Sequence, residues 1–226
     1  MPHAIVTGAS SGIGEAITGL LLEQGWTVTG LSRRIVTRGN PRFQSVSVDL
    51  MNAEVLRETL KQLDAPQAII HASGMMAAAP LGALDSETSQ RLWTLHVHAT
   101  EILINHFAPR MDAGGRIIVI GSRTSRGAAN RSQYAATKAA LVAMVRSWAI
   151  ELAPKGITAN VISPGATQTP ILTQPGREAS TPVMPPIGRL IKPEEVAALV
   201  SFLLQPEAGA ITGQEIMICG GASLGR

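Results

Sequence analysis

Along this chain, short apolar runs alternate with longer stretches in which apolar residues return every three or four positions. The runs AIVTG (from Ala4), TVTGLS (Thr27), SVSVD (Ser45), AIIHAS (Ala68), RIIVIGS (Arg116), TANVIS (Thr158) and EIMIC (Glu215) read as strands. They are nearly continuous in apolar character, as strands covered on both faces are. Between the first two, Ile13, Ala16, Ile17, Leu20 and Leu21 fall at helical spacing, and Val55, Leu56, Leu60 and Leu63 repeat the pattern further on. Longer helices are predicted over Leu92 to Phe107 and Ala136 to Leu152. Seven strands linked by helices, without repeats, predict an α/β fold. It is a seven-stranded doubly wound parallel sheet with helices on both faces, forming one domain over residues 1–226. The irregular stretch from Gln168 to Leu190, with prolines from Pro170 to Pro186, reads as a lid or binding element.

Composition narrows the function classes. Hydrophobic residues make up 45% of the 226 and charged residues 15%, an ordinary globular balance able to build a full core. Apolar runs such as VAALV fall far short of a membrane span, and the N-terminus has no basic region leading into an apolar export signal. A single cysteine, Cys219, excludes an intramolecular disulfide; in EIMICGG it reads as a small buried hydrophobe, and a cytoplasmic location is expected. The net charge of +3 is mild, and three Trp, three Phe and one Tyr are not interleaved with a basic cluster, which argues against nucleic-acid binding.

The chemistry begins at TGASSGIG, Thr7 to Gly14, between the first strand and the first helix. There Gly8 permits the tight turn and Gly12 lets the backbone approach a pyrophosphate. Gly14 allows close helix–sheet packing, while Ser10, Ser11 and Ile13 present the helix N-terminus to negative charge. In NAD-binding sheets the tip of the second strand usually carries an acid for the ribose hydroxyls. Here it reads LSRR, with Ser32, Arg33 and Arg34. Arginine grips a 2′-phosphate that a carboxylate would repel, so the expected cofactor is NADP(H).

Tyr134, the only tyrosine, lies four residues before Lys138 at the start of a predicted helix, so the two share a face. An ammonium beside a phenol eases loss of its proton. Taken alone, the pair is better read as a phenol capping a core helix beside a solvated lysine, since this spacing is common by chance.

The order and spacing of these motifs over nearly the whole chain resemble the short-chain dehydrogenase/reductase family, whose domain is a single Rossmann fold. TGASSGIG is similar to its glycine signature, and VDL, with Asp49 and Leu50, to its adenine contact. IIHASG stands at an Asn-Asn-Ala-Gly turn, with Ala72, Ser73 and Gly74 against the cofactor. IIVIGS ends in Ser122, and YAATK carries the tyrosine and lysine. ISPGATQT, with Pro164, Gly165, Thr167 and Thr169, resembles the segment that holds the nicotinamide side, and the stretch from Gly188 to Gly221 resembles the C-terminal block. The resemblance implies that Ser122, Tyr134 and Lys138 are catalytic. Tyr134 is the implied general acid towards a carbonyl oxygen. Lys138 makes the phenol more acidic and holds the nicotinamide ribose, and Ser122 orients the substrate. Tyr134 and Lys138 therefore also count as cofactor contacts.

Two departures stand out. The family asparagine that supports a proton-relay water is replaced by His96, in LHVHATE; the ring either preserves the relay or merely packs against the sheet. The paired asparagines of the turn are replaced by His71 and Ala72. The loop from Ser122 to Tyr134 looks one residue short for the family. Its Arg123, Arg126 and Arg131 read either as a recognition surface for an anionic or carrier-linked substrate or as a solvated loop. His96, His98 and His106 on one helix, without partners, do not make a metal set, so no metal is expected.

The resemblance thus implies an NADPH-dependent reductase of a small carbonyl substrate, without nucleic-acid or membrane partners. A 3-oxoacyl-carrier reductase and a non-catalytic NADP-binding sensor or partner subunit are the alternatives. Relatives are commonly tetramers, so a homotetramer or homodimer is expected, covering the edge left by the last strand.

Overall fold

The computed structural model describes residues 1–173 and 183–224. Seven strands form one parallel sheet: β1 (His3–Thr7), β2 (Thr27–Ser32), β3 (Phe43–Ser47), β4 (Ala68–His71), β5 (Arg116–Ile120), β6 (Thr158–Pro164) and β7 (Glu215–Ile218), in the order β3-β2-β1-β4-β5-β6-β7. The order reverses between β1 and β4, where Thr7 lies level with His71, and a doubly wound sheet opens its ligand crevice at that reversal.

The helices are α1 (Gly12–Glu23), α2 (Ala53–Lys61), α3 (Ser86–Trp93), α4 (Ala99–Phe107), α5 (Ser132–Leu152) and α6 (Pro193–Leu204). Successive strand residues face opposite layers. Ile69, Ile117 and Val119 meet Leu56 and Leu60 of α2, Leu103 and Phe107 of α4, and Leu141 and Val145 of α5. Ile70, Ile118 and Ile162 meet Ile17 and Leu21 of α1 and Val196 and Val200 of α6. This two-sided burial explains why the central strands show no alternation in sequence. Caps mark helix starts locally: Asn52 accepts from the Val55 amide before α2, and Asp85 from the Thr88 amide before α3.

Several elements differ from the sequence expectation. The third strand starts at Phe43, and its residues, like those of β7, are only partly covered because both are edge strands. No helix joins β2 to β3. The Phe43 ring packs over Gly30 there, so closely that a β-carbon on Gly30 would stand 2.8 Å from it. The helix expected over Leu92 to Phe107 is interrupted by a π-helical turn, Thr94–His98, between α3 and α4. α5 starts at Ser132, which places Tyr134 in its first turn. The middle of the expected lid, 174–182, lies outside the described residues. Cys219 is buried as expected, 5% exposed. No helix among the described residues is long and apolar enough to cross a membrane.

Candidate active site and cofactor cleft

The turn after β1 is built by backbone crowding. Gly8 (φ +71°) and Gly12 (φ +58°) occupy the left-handed region. A β-carbon on Gly14 would stand 2.3 Å from the Gly8 carbonyl oxygen, so only glycine lets α1 start this close to the turn. The Thr7 hydroxyl accepts from the amides of Ala72 and Ser73, each at 3.1 Å, tying the β4 turn to the end of β1. Ser11 caps α1 in extended conformation without a side-chain bond to the helix, leaving the first-turn amides open to an anion.

In front of those amides lies a cleft of about 360 Å³. Gly8, Ser10, Ser11, Gly12 and Ile13 line it from the first turn, Ser32 and Arg33 from β2, Asp49 and Leu50 from the third connection, and Ala72, Ser73 and Gly74 from the β4 turn; Thr169 closes it. Arg34 is not among these residues. It is exposed, and its carbonyl takes the Ser32 hydroxyl proton at 2.7 Å, so of the two predicted arginines only Arg33 faces the cleft. Sequence reasoning missed Arg91 of α3 and Leu95 of the π turn, both in the lining; neither stands in a motif, and an arginine on an amphipathic helix carries no local mark of what it faces.

A second cavity, about 320 Å³, shares Ile13, Ala72, Ser73, Gly74, Met75, Thr169 and Ile171 with the first, so the two are continuous. Ser122, Tyr134 and Lys138 meet in it, with Pro164, Gly165 and Thr167 along one side. Ser122 sits just past the end of β5, where its Oγ accepts from the Thr124 amide at 3.2 Å and lies 2.8 Å from the Thr124 hydroxyl. Thr124, buried and also lining the cavity, was not foreseen. Lys138, buried on α5, donates to the Ile120 carbonyl at 2.9 Å, and its ammonium lies 5.9 Å from the centre of the Tyr134 ring. Burial lowers the Lys138 amine to about 8, so it stays mostly protonated at neutral pH.

Of the three loop arginines, Arg123 and Arg131 line this cavity, whereas Arg126 lies 3.8 Å from Glu215 and outside it. Among the described residues, the charged side chains that line it are all basic. Of the apolar residues expected from the lid, Ile171, Leu172 and Val183 line the cavity, while Met184 and Ile187 are exposed beyond it. Met75 and Met76, unremarked in sequence, complete its apolar wall.

Both histidines at asparagine positions are buried. His96, in the π turn, accepts from the Met75 amide at Nε2 (3.1 Å) and lies 2.9 Å from the Thr137 hydroxyl at Nδ1. His71 ends β4, with Nδ1 3.1 Å from the Thr7 hydroxyl. Desolvation, then the nearby Lys138 charge, lowers His71 to about 3 and His96 well below its ordinary value. Among the described residues no three His, Cys, Asp or Glu side chains gather as a metal-binding group.

Known proteins share this fold over nearly the whole chain. A family model described as enoyl-(acyl carrier protein) reductase matches residues 8–223. The chain is 30% identical over 236 residues to a 3-oxoacyl-[acyl-carrier-protein] reductase, FabG, of Vibrio harveyi, covering 96% of each. Among solved structures it resembles a short-chain dehydrogenase family protein of Francisella tularensis, with a TM-score of 0.91 and 26% identity over the whole of both chains. It also resembles BdcA in complex with NADPH, with a TM-score of 0.85 and 28% identity, covering 97% of this chain and 93% of that one.

Proposed function

The chain belongs to the short-chain dehydrogenase/reductase family, oxidoreductases acting on CH–OH and C=O groups, and from that premise we propose that it is an NADPH-dependent carbonyl reductase. The observation that carries the reading is the meeting of Ser122, Tyr134 and Lys138 in a cavity continuous with the glycine-turn cleft.

The cleft residues fit a dinucleotide. The uncapped amides at the start of α1 suit a pyrophosphate, and Arg33, with no acid at the tip of β2, suits a 2′-phosphate. Asp49 would hold the adenine end, and Pro164, Gly165, Thr167 and the Lys138 ammonium would hold the nicotinamide end. Bound there, NADPH supplies the hydride.

The protein's share of the reaction is orientation and a proton. Ser122 donates a hydrogen bond to the substrate carbonyl oxygen and holds it beside Tyr134. As the carbonyl carbon is reduced, the Tyr134 hydroxyl proton passes to that oxygen, completing the alcohol. The Lys138 charge, held on the Ile120 carbonyl, favours the phenolate left behind.

Arg123 and Arg131 in the lining of the cavity favour a second, narrower reading: a substrate with an anionic end or a carrier-linked 3-oxoacyl thioester. The similarity to the Vibrio reductase points the same way. A homo-oligomer covering β7 accompanies either reading.

NADPH oxidation by the purified protein against neutral ketones, keto acids and 3-oxoacyl thioesters, with NADH and Tyr134→Phe in parallel, tests the proposal. Turnover that prefers NADPH and is lost in the variant is expected. A preference for thioesters or keto acids would select the narrower reading, and NADPH binding without turnover on any class would overturn the reductase reading.

A further inference from the structure

We infer that His96 is a positioning residue for Tyr134, fixed as the neutral Nδ1–H tautomer between Met75 and Thr137, and that it does not relay protons. The positioning role rests on the reductase reading; the tautomer does not.

The tautomer follows from which groups can only donate or only accept. The Met75 amide can only donate, so Nε2, 3.1 Å away, presents its lone pair. The Thr137 hydroxyl has one proton and gives it to the Tyr134 carbonyl at 2.9 Å, an atom that can only accept. What remains at Thr137 Oγ1 is a lone pair, so His96 Nδ1, 2.9 Å away, must carry the hydrogen. Two independent contacts therefore assign the same tautomer. A second proton would sit on Nε2 against the Met75 N–H, with nothing to accept it.

The surroundings disfavour charge as well. His96 is fully buried, and among the described residues the titratable groups facing it are Lys138 and Tyr134 from α5 and His71 from β4. None is a carboxylate able to stabilise an imidazolium. With both nitrogens committed, the ring passes a proton only by breaking one of its two bonds.

What those bonds accomplish is mechanical. One end of His96 holds the Met75 turn that walls both cavities. The other holds Thr137, which in turn holds the Tyr134 backbone, and the ring meets the Tyr134 ring edge-on at 5.6 Å and 82°. The π turn swells the helix by one residue at this point, and within it the His96 side chain is buried between the turn and α5. His71 supplies an internal contrast. The Thr7 hydroxyl accepts from two amides, so its proton goes to His71 Nδ1, which makes His71 the opposite tautomer, Nε2–H, with that N–H buried and without a hydrogen-bond partner among the described residues.

Long-range proton–nitrogen correlation spectra of protein labelled with 15N-histidine test the assignment, with His96→Gln and His71→Asn to identify the signals. The expected result is a neutral Nδ1–H ring for His96 and a neutral Nε2–H ring for His71, neither titrating from pH 8 to pH 5. A His96 ring that is Nε2–H, or that titrates in this range, would overturn the inference. The spectra need no substrate, so they stand even if the reductase reading fails. Where a ketone is turned over, His96→Ala is expected to lower kcat about 10- to 100-fold, the scale of a small misplacement of a reacting group. His96→Asn, which keeps a donor towards Thr137, and His96→Gln, which keeps an acceptor for Met75, should recover part of that loss with an unchanged pH profile of kcat. Disappearance of an acidic limb from that profile in His96→Asn would show a relay and sink the positioning role.

Discussion

Lowering the pH from 7.5 to 5.0 should destabilise this protein through its buried histidines, by an amount the structure sets. His71 is held neutral, with its pKa lowered to about 3 by burial and then by the Lys138 charge. In the unfolded chain it titrates near the ordinary imidazole value of 6.5. Below that value the unfolded chain takes up a proton that the folded chain refuses, so stability falls as pH falls, and the loss ends only near the folded value. Integrating over the interval gives about 2 kcal/mol for His71. His96, also lowered by desolvation, acts in the same direction. Against a typical domain stability of about 5–15 kcal/mol the sum is large. Among the other shifted groups, His3 and His106, each lowered chiefly by desolvation, add to the fall within the same interval, so the comparison with His71→Asn isolates the His71 share. The Lys138 change lies between about 8 and the ordinary lysine value of 10.5, above the interval, and the lowered Glu195 carboxyl, at about 2, responds mainly below it. Urea unfolding followed by tryptophan fluorescence at pH 7.5, 6.5, 5.5 and 5.0, at one protein concentration, measures the effect. His71→Asn should flatten the dependence by about 2 kcal/mol. A stability that is constant across the interval, or one that falls equally in the variant, would refute the assignment of His71 as a buried neutral ring.

Two further outcomes are expected. Gly14→Ala places a β-carbon 2.3 Å from the Gly8 carbonyl oxygen, a backbone atom that cannot step aside; a loss of about 1–3 kcal/mol in urea unfolding and weakened NADPH binding by fluorescence should follow, and wild-type behaviour would refute the turn geometry. Arg33→Ala should weaken NADPH binding by about 10- to 100-fold while sparing NADH, as for loss of a charge-assisted hydrogen bond, whereas Arg34→Ala should change it little; equal effects in titrations of the two variants would place both arginines on the phosphate.

The parts of the site that follow chain-local rules were legible in the sequence. Glycines at Gly8, Gly12 and Gly14 are needed wherever a strand must turn tightly into a helix, and Tyr134 and Lys138 share a helix face through spacing alone. The difference between Arg33 and Arg34 was not legible, because adjacent residues at a strand tip point apart and only the packed turn, with Ser32 bonded to the Arg34 carbonyl, decides which one faces the cleft. Arg91 was invisible for the same reason: what a surface helix faces depends on where the sheet stops beneath it. The π turn at Thr94–His98 also escaped, since one extra residue in a helical stretch barely disturbs the recurrence of apolar positions.

What the sequence by itself determined is the parallel sheet, the glycine turn opening its first helix and the order of the motifs, and with them the resemblance that points to the family and to Ser122, Tyr134 and Lys138 as candidate reacting side chains. These follow from periodicity and spacing along the chain, which survive without knowledge of neighbours in space. Tertiary structure alone decided that Arg123 and Arg131, but not Arg126, line the cavity, and that His71 and His96 are neutral rings of opposite tautomer. A tautomer is chosen by which partner can only donate and which can only accept. Those partners, Met75, Thr137 and Thr7, reach the rings from segments that meet only once the sheet has closed around them.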